Sequence, residues 1–249
     1  MRDAIVLLFS FMLSQSCFAA DGAKFRAIGF SEDRNLFAFE QYGIKDGSGF
    51  AYSDIFILDI AKDAWVKGTP IHTELEDETM DIAPVRAKAK KQAASLLASS
   101  KINVDAEILA ATPYTELVKD RRVVTFHDGY DGTSGFAGNA YALGSWTVTL
   151  SSVAVPLPEG CEDDMGVEGY KLTLQSNNPT GVLTTLHEDK SLPKSRGCAV
   201  GHDIEAIVQP LGVDLTGNTQ GQFVAIIGVY SRGFEGADRR FIAVPFKAN

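Results

Sequence analysis

The sequence predicts a mainly β fold, at the α+β margin: antiparallel, blade-like meanders in a small propeller or a sandwich, with one central helix. Three observations carry that prediction. Short apolar runs bounded by Gly, Asn, Asp and Ser recur from Phe25 to Phe246. One stretch alone, near 84–100, has helical periodicity. And one long hairpin is written three times, as a strand, a tyrosine, a glycine-rich loop with Gly-Phe, and a second strand.

The first copy is "LFAFEQYGIKDGSGFAYSDIFILDI", Leu36 to Ile60, with Tyr42 ahead of Gly49-Phe50. The second opens at Val123 and places Tyr130 ahead of Gly135-Phe136. The third, "FVAIIGVYSRGFEGADRRFIAVPF", has Tyr230 and Gly233-Phe234. Their spacing is irregular, which sets them apart from repeat arrays of fixed period.

Taken in order, the chain begins with Met1 and Arg2, an apolar run from Ala4 to Leu13, and then "SQSCFAADGAKF". A basic start, about ten apolar residues and small residues at the exit describe a secretory leader. The run is shorter than the ~20 residues a spanning helix needs. Cleavage is expected after Ala19 or Ala20, giving a leader over 1–20 and a single β-rich domain over 21–249 with a helical insertion near 84–100. The product is then periplasmic or secreted. Acylation at Cys17 is the alternative, but Ser14 and Gln15 stand where such a signal prefers an aliphatic and a small residue. No later segment is long and apolar enough to span a membrane.

Four β runs follow: "FRAIGF", "LFAFEQY", "DIFILDI" and "AWVKGT", the first two joined by the polar turn "SEDRN". Phe37, Phe39 and Gln41 alternate with Leu36, Ala38 and Glu40, so both faces carry apolar residues. Such strands are usually covered on both sides. The acidic "HTELEDETMDIAP" leads into "VRAKAKKQAASLLASSKI", where Val85, Ala89, Leu96 and Leu97 fall near one helical face. Pro84 suits a first turn, and acids ahead of it complement the helix dipole. After the second hairpin, "GYKLTLQS", "GVLTTLHED", "DIEAIVQPL", "FVAIIGVY" and "RRFIAVPF" read as further short strands, separated by turns such as "SNNPTG".

With 45% hydrophobic and 22% charged residues the chain is ordinary for a globular protein, and a net charge of −9 argues against nucleic acid as a partner. Cys161 and Cys198 remain once the leader is gone, and an oxidising compartment pairs them. Closing that loop contributes about 4 kcal/mol on the chain-entropy model. The alternatives are a zinc site, for which His202 follows Cys198 at i+4, or a free thiol.

The stretches "GFSEDRNLFAFEQYGIKDGSGFAYSDIFILDIAKDAWVKGTP", "LHEDKSLPKSRGC" and "VYSRGFEGADRRFIAVP" together resemble a bacterial group of predicted secreted proteins built on a domain of unknown function. The resemblance covers essentially the whole mature chain. It implies secretion and a single domain, and it supplies no catalytic residue.

Catalytic signatures are missing: no G-x-S-x-G, no phosphate loop, no H-E-x-x-H and no dinucleotide fingerprint. Ser48 and Ser134 lie in glycine-rich tips with no local base. His72, His127, His187 and His202 each have an acid nearby, as a divalent-metal site would, and as an acidic chain supplies by chance. "DGYDG" lacks the full ladder of a calcium loop. The hairpin ends concentrate aromatics and bases: Phe50 and Tyr52, Phe136, and Phe234 with Arg239 and Arg240. Gathered at one end of the fold they would make a recognition surface, since such residues dominate binding hot spots. Folded back onto their own sheets they would be core anchors. The leading expectation is a non-catalytic secreted or periplasmic binding or cell-envelope accessory protein with no cofactor. The alternatives are a hydrolase using paired carboxylates and a periplasmic divalent-metal-binding protein.

Overall fold

In the computed structural model, the described residues are 20–79, 81–113, 120–127, 145–162, 165–177, 181–212, 222–233 and 236–248. They form three antiparallel sheets and one helix. The first sheet contains β1 (Lys24–Ser31), β2 (Leu36–Ile44), β3 (Ala51–Asp59), the two-residue β4 (Ala64–Trp65) and β6 (Ile102–Val104), in the order β4-β3-β2-β1-β6, with β5 (Ile71–Leu75) also paired to β3. The turn between β1 and β2 is held by its own polar side chains. The Ser31 hydroxyl donates to Asp33 at 2.6 Å and accepts the Leu36 amide at 2.9 Å. The "AWVKGT" run is a strand only at Ala64–Trp65, because Gly68 turns left-handed (φ 91°) and Pro70 lacks an amide for a ladder.

The helix α1 (Ile82–Ser99) starts where Asp81 accepts the Ile82 amide at 2.6 Å. Its buried stripe is Val85, Ala89 and Ala93, and small residues let it lie close on Ile28, Ile55 and Ile71 of the first sheet. Leu97 packs at the margin of that contact, and Leu96 is half-buried. The helix therefore covers the outer face of the first sheet.

β7 (Ala106–Ala111), β12 (Ala199–Pro210), β13 (Gln222–Arg232) and β14 (Ala237–Lys247) form a second sheet in the order β14-β13-β12-β7. A third is β11-β10-β9-β8, from β8 (Val123–His127), β9 (Ser145–Val153), β10 (Gly169–Ser176) and β11 (Leu183–Glu188). Only Asp105 separates β6 from β7, so the chain steps directly from the first sheet to the second.

The β13 side chains show how the layers stack. Val224 and Ile226 join Phe30, Phe37 and Phe39 of the first sheet, whereas Phe223, Ala225 and Ile227 join Phe126, Trp146 and Leu172 of the third. The second sheet is thus the middle layer, covered on both faces, which is why "FVAIIGV" is continuously apolar. Each such side chain contributes about 1.5–3 kcal/mol on burial. Among the described residues no core cluster joins the first sheet to the third. The sandwich expectation holds in extended form, as helix, sheet, sheet, sheet, and the sheets do not close into a barrel. Each copy of the repeated hairpin builds a different layer: β2–β3, β8–β9 and β13–β14.

Cys161 and Cys198 are joined, with Cα atoms 5.6 Å apart. The bond ties the β9–β10 connection of the third sheet to the start of β12, beside a small core of Leu192, Ala199 and Val229.

Candidate functional site

Strand β12 carries His202 and Asp203, adjacent residues that alternation sends to opposite faces of the middle sheet. Each lies in a polar cluster.

On the side of the third sheet, the Tyr170 ring stacks on His187 (4.7 Å between centroids) and lies 4.9 Å from His202. Behind it Asp189 accepts both Arg196 nitrogens at 2.6 and 2.5 Å, faces a His187 ring nitrogen at 2.9 Å and accepts the Tyr170 amide at 2.9 Å. Burial works to raise the Asp189 pKa, but these partners outweigh it and hold the carboxyl well below its usual range. His202 has no such help. It is 6% exposed, both ring nitrogens are buried without a hydrogen bond, and burial with the nearby Arg196 charge lowers its pKa to about 4. At neutral pH this imidazole is uncharged.

On the side of the first sheet, Asp203 accepts Arg121 and the Tyr230 hydroxyl, each at 2.8 Å. Its other oxygen turns toward Gly228, where a Cβ would stand 2.3 Å away. Gly228 is the residue that lets the carboxylate lie against the backbone. Glu205, pushed up chiefly by burial, pairs with Arg239 at 3.3 Å and Arg121 at 3.5 Å.

The expected recognition tips fall only partly within the described residues. Phe136 and Phe234 lie outside the described residues, and Phe50 is half-buried. Tyr52 is a correction to the tip reading: it is 1% exposed, inside the sheet, and its hydroxyl donates to Asp21 at 3.1 Å. Arg239 and Arg240 are both engaged within the fold. Arg239 pairs with Glu205 and donates to the Ala23 carbonyl, while Arg240 reaches Asp21 at 2.5 Å and lies over the Tyr52 ring. The sequence places these residues beside a glycine loop but does not reveal acids that approach from far along the chain.

Of the histidines, His72 bridges Asp54 (2.5 Å) and Glu74 (3.3 Å) on the first sheet, and His127 is exposed on β8. Among the described residues no three His, Cys, Asp or Glu side chains converge as a metal site would require.

A feature the sequence reading passed over lies at the edge of the third sheet. Among the described residues strand β11 pairs only with β10, and the stretch from Gly181 to Leu186, which leads into and through most of it, carries no charge before His187 and Glu188 at its end. Val182 and Leu183 are 74% and 63% exposed. Several other edges are guarded, most of them nearer their middle. Residues 21–23 and the Gln41 side chain cover β14, β5 carries His72 and Glu74, β7 carries Glu107, and two arginines precede β8. The available signal was an uncharged "GVLTTL" beginning after a turn.

No helix among the described residues is long and apolar enough to cross a membrane. No curated protein and no solved structure matches the chain. Residues 38–247 match the family described as Predicted secreted protein (DUF2259), a span that takes in the second and third sheets, the disulfide, and the first sheet apart from β1 and the start of β2. The chain belongs to that family of predicted secreted proteins of unknown function.

Proposed function

We propose that this protein is a non-catalytic binding or cell-envelope accessory protein of the periplasm or exterior, folded from about residue 20 as one unit, and that it takes an extended apolar peptide segment along β11. The observation that carries this is the uncharged first part of that edge, with Val182 just ahead of the strand and Leu183 at its start facing solvent. An open edge offers a row of main-chain donors and acceptors that only another strand satisfies in register. A second copy is the poorer fit, because each chain carries a net charge of −9 and two would repel. The buried carboxylates support a structural role over acid–base chemistry: Asp21, Glu40, Asp189 and Asp203 each face an arginine.

The test is calorimetric titration with synthetic peptides of alternating valine and threonine. Binding is expected in the micromolar range, and Leu183→Lys is expected to weaken it at least tenfold with an unchanged melting temperature. Absence of binding, or binding indifferent to Leu183→Lys, would sink the proposal. Sedimentation showing a dimer that Leu183→Lys dissociates would replace the peptide with a second copy. An esterase, glycosidase or peptidase activity abolished by one carboxylate substitution would overturn the non-catalytic reading.

A further inference from the structure

Residues that follow the leader are built into the fold. The Asp21 carbonyl accepts the Arg239 amide at 2.9 Å, the Ala23 amide donates back to the Arg239 carbonyl at 3.1 Å, and Gly22 forms a parallel bridge to the same residue. This short segment covers the outer edge of β14. Asp21 is 4% exposed, and its carboxylate takes the Tyr52 hydroxyl and the Arg240 guanidinium. A mature chain without Asp21 would leave Arg240 unpaired over an aromatic ring and uncover a sheet edge.

One residue earlier, Ala20 lines an open groove of about 480 Å³ at the tip of the β2–β3 hairpin. The same groove is lined by Asp46, Ser48 and Glu78. Its one lysine, Lys45, is already paired with Glu74 at 2.5 Å. The Asp46 Oδ2 atom is buried with no hydrogen-bond partner. A carboxylate oxygen in that state calls for a cation or a donor.

We propose that the mature chain begins at Ala20 and that its free amino terminus seats in this groove as the partner of Asp46. The inference rests on removal of the leader and is independent of the β11 reading. Hydrolysis by a leader peptidase adds water across the Ala19–Ala20 amide, the hydroxyl to the Ala19 carbonyl carbon and a proton to the Ala20 nitrogen. That amine takes a second proton at neutral pH. Two arguments place the cut here rather than one residue later. Leader peptidases read small residues at the first and third positions before the cut, here Ala19 and Cys17; the later cut would put Phe18 in the third position. The later cut would instead place the ammonium on Asp21, whose nitrogen lies 3.2 Å from an Asp238 carboxylate oxygen, and would leave the buried Asp46 Oδ2 atom without a partner.

Intact-mass measurement and N-terminal sequencing of the protein exported from the full-length precursor test the position. A chain starting at Ala20 is expected; one starting at Asp21, or one retaining the leader, would overturn the proposal. Docking is tested by NMR titration of the amino group in protein labelled at alanine nitrogen. Its pKa is expected about one unit above the ordinary 7.7–8.0, to fall back in Asp46→Asn and to recover in Asp46→Glu. An amino group that titrates alike in wild type and Asp46→Asn refutes the docking. Neither readout depends on peptide binding at β11, so the two proposals fail separately.

Discussion

His202 is an imidazole whose folded pKa is about 4, against 6.5 for a free side chain. Between those values the unfolded chain binds a proton that the folded chain refuses. The stability linked to this residue is therefore complete above about pH 6.5 and is lost as the pH falls toward 4. A depression of this size corresponds to about 3 kcal/mol. Arg196, His187 and Asp189 surround the site, and only Asp189 would welcome a second positive charge. Denaturant titration at pH 7 and pH 4.5 should show wild type losing about 2–3 kcal/mol more than His202→Phe, which keeps an aromatic against Tyr170 and cannot titrate. Equal losses in the two proteins would remove His202 as the cause.

The helix is held by a small apolar stripe and one charged contact. Glu40 is fully buried, accepts Arg86 at 2.9 and 2.8 Å, and also takes the Ser53 hydroxyl at 3.0 Å. The guanidinium lies 3.7 Å from the centre of the Tyr42 ring. With only Val85, Ala89 and Ala93 buried, apolar burial on the helix is modest, so this ion pair fixes where α1 lies on the first sheet. Arg86→Ala leaves a buried carboxylate unpaired and is expected to cost about 3–5 kcal/mol. The paired change Glu40→Leu with Arg86→Met should cost far less, because desolvation of the two charges disappears with them. Urea unfolding of the two variants distinguishes loss of the pair from loss of helix packing, which would affect both alike.

Across the whole molecule, cohesion between layers comes from the middle sheet and from one covalent tie. The Cys161–Cys198 bond closes a 37-residue separation between the third sheet and β12. Replacing either cysteine with serine is expected to cost about 4 kcal/mol, read from urea unfolding. Thiol titration of denatured, unreduced wild type should find no free thiol; about two per chain would refute the bridge in the isolated protein.

The sequence by itself determined what is local. Period-two apolar runs define most strands, and β10 coincides with "GYKLTLQS". The helix near 84–100, the single cysteine pair and the triple hairpin could also be read there, because periodicity and cysteine count need no partner from elsewhere, whereas the Asp81 cap, ahead of the expected start, came from the structure. Strands apolar on both faces announced that something covers them. Which layer lies in the middle, however, is a property of packing: Val224 and Phe223 are equally apolar, and only the fold sends one toward Phe39 and the other toward Phe126. β5, β6 and β7 were missed because "HTEL" is polar and "INVDAEILAA" follows a helix without a strong break, so these strands exist through their partners. The fates of Tyr52, Arg239 and Arg240 were decided the same way. Asp21 reaches Arg240 across 219 positions and Gln41 reaches the Phe241 amide across 200. A side chain's charge and shape are written at its own position, whereas the group that neutralises it is chosen by how the sheets stack.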